Sequence, residues 1–94
     1  MVKFEWDENK NQANIQKHGI SFDEATSVFE DSESIILVDE VHSDTEDRFI
    51  IIGYSFKANL LVVCHCYRLN DSVIRIISAR KANKGERRTY LNEK

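Results

Sequence analysis

One stretch in which apolar and charged residues alternate, followed by four apolar runs, predicts five strands in this chain. Residues 2–6 alternate between apolar and charged side chains, which is typical of a short strand with one buried face. Residues 35–38 form a brief apolar run that predicts a second strand. Three longer runs are rich in β-branched and aromatic residues and predict three more strands, at residues 48–56, 60–69 and 73–80.

Three other segments carry sequence signals that predict helices. Asp7 is suited to cap a helix over residues 8–18, and Gly19 stands where helices commonly end. A capping box at residues 21–24 opens a second helix, and the basic segment 84–91 predicts a third. The predicted order is β-α-α-β-β-β-β-α, an α+β fold in which the helices lie on one side of a mainly antiparallel sheet.

Length and composition narrow the class of protein. A chain of 94 residues and 11.0 kDa predicts a single domain over residues 1–94. Its 41% hydrophobic and 31% charged residues are typical of a folded globular protein. The apolar runs are too short to cross a bilayer, and the N-terminus has no apolar signal core. We therefore expect a cytoplasmic protein and exclude the membrane, secreted and multi-domain classes.

Charge is divided unevenly between the two halves of the chain. Residues 1–50 carry four basic and thirteen acidic side chains, a balance of −9. Residues 51–94 carry nine basic and three acidic side chains, a balance of +6. Such a division indicates a polyanion or an acidic partner near the C-terminal half. Alternatively, the two halves neutralise each other in the folded chain.

The two cysteines do not predict a metal site. Cys64 and Cys66 are two residues apart on a predicted strand, so their side chains share one face and His65 points to the other. This arrangement does not supply the four ligands of a structural zinc ion. We expect buried free thiols and no metal or cofactor.

Three arginines are predicted to meet at one end of one sheet face. A two-residue turn at Asn70-Asp71 places Cys66 opposite Arg75, and a three-residue turn at 57–59 places Arg48 opposite Arg68. An anion such as a phosphate would stabilise three guanidinium groups gathered in this way. Carboxylates from the acidic half are the alternative partners.

The C-terminal segment adds further cations and a tyrosine. These cations form either a solvated helix face or a contact for the backbone of a nucleic acid, and they are Arg80, Lys81, Lys84, Arg87 and Arg88. Tyr90 either stacks on a base or anchors the third helix on the core.

One of the three histidines lies in a setting that suggests catalysis. His42 stands in a polar loop with Glu46 and Arg48 close behind it, and such a set can cleave a phosphodiester without a metal. The alternative is an ordinary polar loop. His18 has the place of a helix C-terminal cation, and His65 that of a semi-buried sheet residue between Ile51 and Ile76.

Several stretches match a known pattern, in order and at fitting spacing, over almost the whole chain. They are residues 4–7, Lys10, Asn14, 17–22, 24–25, 42–43, Glu46, Arg48, 52–55, 75–82, 86–87 and Tyr90. Together they resemble the toxins of the BrnT family. The resemblance implies a RelE-like α+β fold and a ribonuclease that stops translation. It also implies a BrnA-like antitoxin that neutralises the toxin and has a ribbon-helix-helix part that binds operator DNA. We expect a complex of two toxins with two antitoxins.

Site residues are assigned by combining the resemblance with the strand register. Residues matched by the resemblance include Arg48, Arg75 and Arg80 as ligands of the phosphate and the transition state, and the register adds Arg68. His42 is the candidate general acid or base, and Glu46 either orients it or acts as the base. The expected activity is metal-independent transesterification of RNA that leaves a 2′,3′-cyclic phosphate. The alternative is a non-enzymatic module that binds RNA or the antitoxin.

Overall fold

A computed structural model describes residues 2–42 and 46–92, and within them it has five strands and three α-helices. The strands are β1 (Lys3–Glu5), β2 (Ile35–Val38), β3 (Phe49–Tyr54), β4 (Leu60–Arg68) and β5 (Val73–Lys81). The helices are α1 (Glu8–His18), α2 (Phe22–Thr26) and α3 (Lys84–Asn92), with 3-10 turns at Ser27–Glu30 and Glu40–His42. The order of elements and the α+β class are as predicted. None of the helices in this part of the chain is long and apolar enough to span a membrane.

The five strands form one mixed sheet in the order β1-β5-β4-β3-β2. The last four strands pair antiparallel in chain order, and short turns join β3 to β4 and β4 to β5. β1 pairs in parallel with β5 and thus places the N-terminus at one edge of the sheet. β2 forms the other edge.

The two faces of the sheet are covered differently. α1 and α2 pack on one face, where Phe22 and Val28 join Val63 in the main core. On the opposite face, α3 covers one end through Tyr90, which packs with Val62 in a smaller core. We call the first the helix face and the second the open face. The prediction of helices on one side describes α1 and α2, whereas α3 lies on the open face.

The β4–β5 hairpin has the register that its turn predicts. Asn70 and Asp71 have φ of 54° and 67°, values that suit the tight two-residue turn favoured between twisted strands. Cys66 therefore pairs with Arg75, as expected from the sequence.

The β3–β4 hairpin differs from its prediction. The connection spans residues 55–59 instead of 57–59, so Ile50 pairs with Cys64 instead of Cys66. A shift of two residues keeps every side chain on its face but moves it along the strand. The predicted pairing of Arg48 with Arg68 is therefore wrong.

A buried carboxylate accounts for the longer connection. Glu24 is 2% exposed and accepts hydrogen bonds from the Ser55 hydroxyl at 2.7 Å and the Asn59 side-chain amide at 2.8 Å. Ser27 adds a bond from the Phe56 backbone N–H at 3.0 Å. These bonds hold the turn against α2, so a contact distant in sequence sets the length of the turn.

An asparagine attaches α1 to the sheet. Asn14 donates to the carbonyl oxygens of Ile20 and Ala79, both at 2.8 Å, and accepts from the Ala79 N–H at 3.1 Å. It thus satisfies both backbone groups of a strand residue within the core.

His65 belongs to the core of the helix face. It is fully buried, more enclosed than expected, and pairs with Phe49 instead of the expected Ile51 because of the register shift. Its Nε2 lies 3.3 Å from the Tyr67 hydroxyl, and burial lowers its pKa.

Candidate active site

A shallow cavity of about 220 Å³ lies on the open face, between the end of β2 and the middle of β5. It is lined by Asp39, Arg48, Ile50, Val62, Cys64, Ile77, Ser78 and Arg80. A β-bulge interrupts the β4–β5 ladder at this level, between Cys64 and His65 of β4. Bulges are common beside active sites because they redirect side chains. The bulge brings two β5 residues, Ile77 and Ser78, into the same lining.

Two of the predicted catalytic arginines, Arg48 and Arg80, line this cavity. Arg80 donates from two guanidinium nitrogens to the two carboxylate oxygens of Glu86, at 2.7 Å each. Glu86 also accepts from the Asn83 N–H at 2.9 Å and donates its own N–H to the Asn83 side chain at 2.8 Å, which caps α3. The start of α3 therefore holds Arg80 in one orientation. The paired hydrogen bonds raise the pKa of Arg80 and lower the pKa of Glu86.

Arg68 and Arg75 lie together, farther along the open face. Arg75 is 2.9 Å from a Glu5 carboxylate oxygen, and Arg68 approaches the same oxygen at 3.6 Å. Arg68 also lies 3.6 Å from Glu46. The predicted meeting of three arginines thus becomes two groups, because the register shift separates Arg48 from this pair. Carboxylates of the acidic half neutralise the pair, which was the alternative interpretation.

Two of the cavity residues, Asp39 and Cys64, carry chemistry that the sequence analysis did not assign. Burial and the nearby Asp39 raise the pKa of Cys64 to about 11, so its thiol stays protonated at neutral pH. The thiol donates to an Asp39 oxygen at 3.8 Å. Asp39 therefore brings a carboxylate into the cavity beside the arginines. Its position directly after an apolar strand was visible in the sequence, but only the sheet shows what it faces.

His42 and Glu46 come from the connection between β2 and β3. The backbone of His42 ends the 3-10 turn at Glu40–His42, and its side chain lies outside the described residues. Glu46 lies beside Arg68 and accepts from the Cys66 thiol at 3.6 Å. Burial, and after it the Glu46 carboxylate, raise the pKa of Cys66.

The predicted RNA-binding cations are distributed around α3. A groove of about 290 Å³ on its exposed side is lined by Lys84, Arg87, Arg88, Leu91 and Asn92. Lys81 alternates with Arg80 on β5 and therefore points to the helix-face side of the sheet, away from this groove.

Tyr90 anchors α3 instead of offering its ring for stacking. It is 3% exposed, its hydroxyl donates to Asp31 at 2.7 Å, and its ring meets Tyr54 edge to face. Of the two interpretations of this tyrosine, the structure supports the anchor, because the buried ring has no face open to a base.

Comparisons with known proteins agree with this architecture. A family described as the ribonuclease toxin BrnT of type II toxin–antitoxin systems matches residues 6–86. The crystal structure of the Brucella abortus ribonuclease toxin BrnT, at 1.1 Å resolution, superposes with a TM-score of 0.68 at 23% identity. The match covers 89% of this chain and all of that one, and it establishes the fold. No curated protein matches the sequence. The chain therefore belongs to the BrnT family of ribonuclease toxins of type II toxin–antitoxin systems.

Proposed function

We propose that the cavity on the open face is the active site of a metal-independent endoribonuclease. The observation that carries the proposal is the pair Arg48 and Arg80, which line one cavity with a carboxylate in a chain of this family. In the proposed reaction the 2′-hydroxyl attacks the adjacent phosphorus and the 5′-oxygen leaves. The products are a 2′,3′-cyclic phosphate and a free 5′-hydroxyl. Such cleavage requires stabilisation of the phosphorane charge and two proton transfers.

Arg80 and Arg48 are assigned to the charge on the phosphorane. Because Glu86 already holds Arg80 by two bonds, its guanidinium group loses little conformational freedom when a phosphate binds. Arg68 and Arg75 extend the same face and are assigned to a neighbouring phosphate. The cations assigned to the RNA backbone are Lys84, Arg87 and Arg88, which line the groove on α3. Lys81 was also predicted to bind RNA, but it points to the other side of the sheet and is left out of this set.

Proton transfer is assigned to the loop before β3 and to the cavity wall. His42 remains the candidate acid or base, with Glu46 as its orienting group or as the base. Asp39 joins them as a candidate base, since it brings a carboxylate into the cavity itself. A pH–rate profile for each single variant separates these roles, because loss of the base removes the acidic limb.

The test is cleavage of total RNA by the purified, antitoxin-free chain in excess chelator. We expect new cyclic-phosphate or 3′-phosphate ends, and a strong loss of rate in Arg48→Ala and Arg80→Ala variants, because these two residues line the cavity. If both variants cleave as fast as the parent, the assigned site is wrong. Cleavage that stops in chelator would contradict metal independence. If the RNA stays intact, the assay is repeated with translating ribosomes. Uncleaved mRNA in that second assay would overturn the proposal that the protein is a ribonuclease.

A non-enzymatic binding module is the second candidate. It is favoured by one observation, the neutralisation of Arg68 and Arg75 by Glu5, which is typical of a structural ion-pair set. The two candidates differ in the cell. A catalyst inhibits growth when it is expressed alone and is tolerated with its antitoxin, whereas a binding module is tolerated in both conditions.

The proposed partner is a BrnA-like antitoxin whose ribbon-helix-helix part binds operator DNA. We propose a cytoplasmic complex of two toxins with two antitoxins, in which the toxin is inactive. DNA is contacted through the antitoxin alone. Light scattering of the co-expressed complex gives its stoichiometry, and RNA cleavage before and after removal of the antitoxin tests neutralisation.

A further inference from the structure

The edge strand β2 exposes apolar side chains on both of its faces. Ile36 and Val38 are 50% and 57% exposed on the side of the helix face, and Leu37 is 40% exposed on the open face. Val41, just beyond the strand, is 79% exposed. Edge strands normally carry charges, proline or a covering element that prevents pairing with another chain. This edge carries none of these among its four residues, Ile35–Val38.

The backbone of the same strand offers hydrogen-bonding groups at its outer side. The Asp39 N–H donates to the Arg48 carbonyl at 2.8 Å, which marks a hydrogen-bonded pair of the β2–β3 ladder. Since such pairs alternate, Leu37 also bonds to β3, and the N–H and C=O groups of Ile36 and Val38 point outward. No strand of the described chain pairs with that side. An extended segment can therefore be added there by β-augmentation.

The charge around β2 selects among the possible occupants. Residues 31–40, which hold β2 and its flanks, contain four aspartates and glutamates and no lysine or arginine. Carboxylates at both ends of the strand disfavour a nucleic acid. They also disfavour a second copy, because antiparallel pairing of two β2 strands brings Glu33 of one copy toward Asp39 and Glu40 of the other. The occupant that fits is an apolar strand bordered by basic residues.

A second cavity lies at the end of this edge. It measures about 420 Å³ and is lined by Glu46, Asp47, Phe49, Tyr67 and Asp71. Phe49 is the ladder partner of Val38, so the cavity adjoins the C-terminal end of β2. Carboxylates combined with aromatic rings suit a lysine or arginine side chain, through ion pairing and cation–π contact.

We propose that the outer edge of β2 is the docking site of a protein partner that adds an apolar strand bordered by lysine or arginine. The acidic-aromatic cavity receives one of the flanking cations. The proposal rests on the proposed function in one respect, that this partner is the antitoxin. Asp39 follows β2 directly and lines the active-site cavity, so a segment paired with β2 ends beside the RNA site.

Hydrogen exchange of the unaltered chain tests the proposal. Amide exchange is measured by NMR for the free toxin and for its complex with the co-expressed antitoxin. We expect the Ile36 and Val38 amides to slow by about tenfold or more in the complex, while the Leu37 amide, already bonded to β3, changes little. Equal exchange rates for Ile36 and Val38 in both samples would overturn the proposal. Protection that rises with concentration in the free toxin would also overturn it, in favour of a second copy.

A proline variant tests the same contact by affinity. Val38→Pro removes an outward N–H without removing a bond to β3, and edge strands tolerate proline. We expect it to weaken antitoxin binding about tenfold, whereas the matched Val38→Thr variant binds like the parent. Parent-like binding of a folded Val38→Pro variant would contradict the proposal. So would a loss confined to Arg87→Glu and Arg88→Glu, which would place the contact on α3.

RNA cleavage by free Val38→Pro separates this proposal from the proposed function. We expect it to equal that of the parent, since Val38 lies outside the active-site cavity. Failure of the parent itself to cleave RNA would count against the enzyme alone, while exchange and affinity would still decide the docking site.

Discussion

The helix face and the open face of the sheet both carry polar groups, but these groups have different surroundings. On the helix face, Asn14, Glu24 and His65 are buried, and each has protein partners within hydrogen-bond distance. On the open face, Arg48, Arg80 and Asp39 surround a cavity open to solvent. Residue type alone therefore does not distinguish the two sets. The polar groups around the cavity differ in being accessible to a substrate.

If the open face serves catalysis and the helix face serves stability, the largest effect on activity should come from removing an arginine of the cavity. We expect Arg80→Ala to lower the rate of RNA cleavage about 100-fold to 1000-fold, because it removes an oriented hydrogen-bond donor to the proposed transition state. Its free energy of unfolding should fall by less than about 1 kcal/mol, since the Arg80–Glu86 pair is partly exposed.

The matched control for this variant is Arg87→Ala on the outer side of α3. It also removes one guanidinium charge, but at a position outside the cavity. We expect it to lower cleavage only a few-fold, because one contact with the RNA backbone is lost. Equal losses in the two variants would show that net charge, not the cavity, carries the activity.

On the helix face we expect the opposite pattern. Asn14→Ala leaves both backbone groups of Ala79 without their partner and should lower the free energy of unfolding by about 2–4 kcal/mol. The exposed Asn9→Ala change on the same helix should alter it by less than about 0.5 kcal/mol. Denaturant unfolding gives both values. If the folded Asn14→Ala variant cleaved RNA far more slowly than the parent, the assignment of Asn14 to stability alone would be contradicted.

Acid should destabilise the helix face through His65. Burial lowers its pKa below the ordinary value of 6.5, so the unfolded chain binds the proton more strongly than the folded chain. The stabilising contribution is complete above pH 6.5 and is lost as pH falls toward the folded pKa, by at most about 1.4 kcal/mol per pH unit.

Urea unfolding between pH 7.5 and 5.5, values chosen around the ordinary histidine pKa, measures this dependence. His65→Leu should flatten it, whereas His18→Gln at the end of α1 should retain it. An unchanged slope in His65→Leu would assign the acid sensitivity to other groups.

The smallest expected effect concerns the turn that Glu24 holds. Ala58 has φ of 60°, in the left-handed region that costs a side chain free energy, and glycine is absent where the turn favours it. Ala58→Gly should raise the free energy of unfolding by about 0.5–1 kcal/mol. Ala13→Gly in α1 should lower the free energy of unfolding by about 1 kcal/mol. If the two variants shifted this free energy in the same direction, Ala58 would not be the strained position.

Local signals in the sequence determined the elements and one register. Asp7 and Gly19 mark the two ends of α1, and the Asn70-Asp71 turn sets the β4–β5 pairing. Each of these signals acts over a few residues, through a cap or a turn conformation. Such effects are readable without the rest of the molecule.

The tertiary structure decided the β3–β4 register and the composition of the cavity. The register depends on Glu24 meeting Ser55, 31 residues away, and α1 is placed by Asn14 meeting Ala79, 65 residues away. The sequence thus determined which side chains were available for chemistry. Which of them meet depends on packing between distant segments, because a two-residue shift preserves the pattern of buried faces and yet separates Arg48 from Arg68.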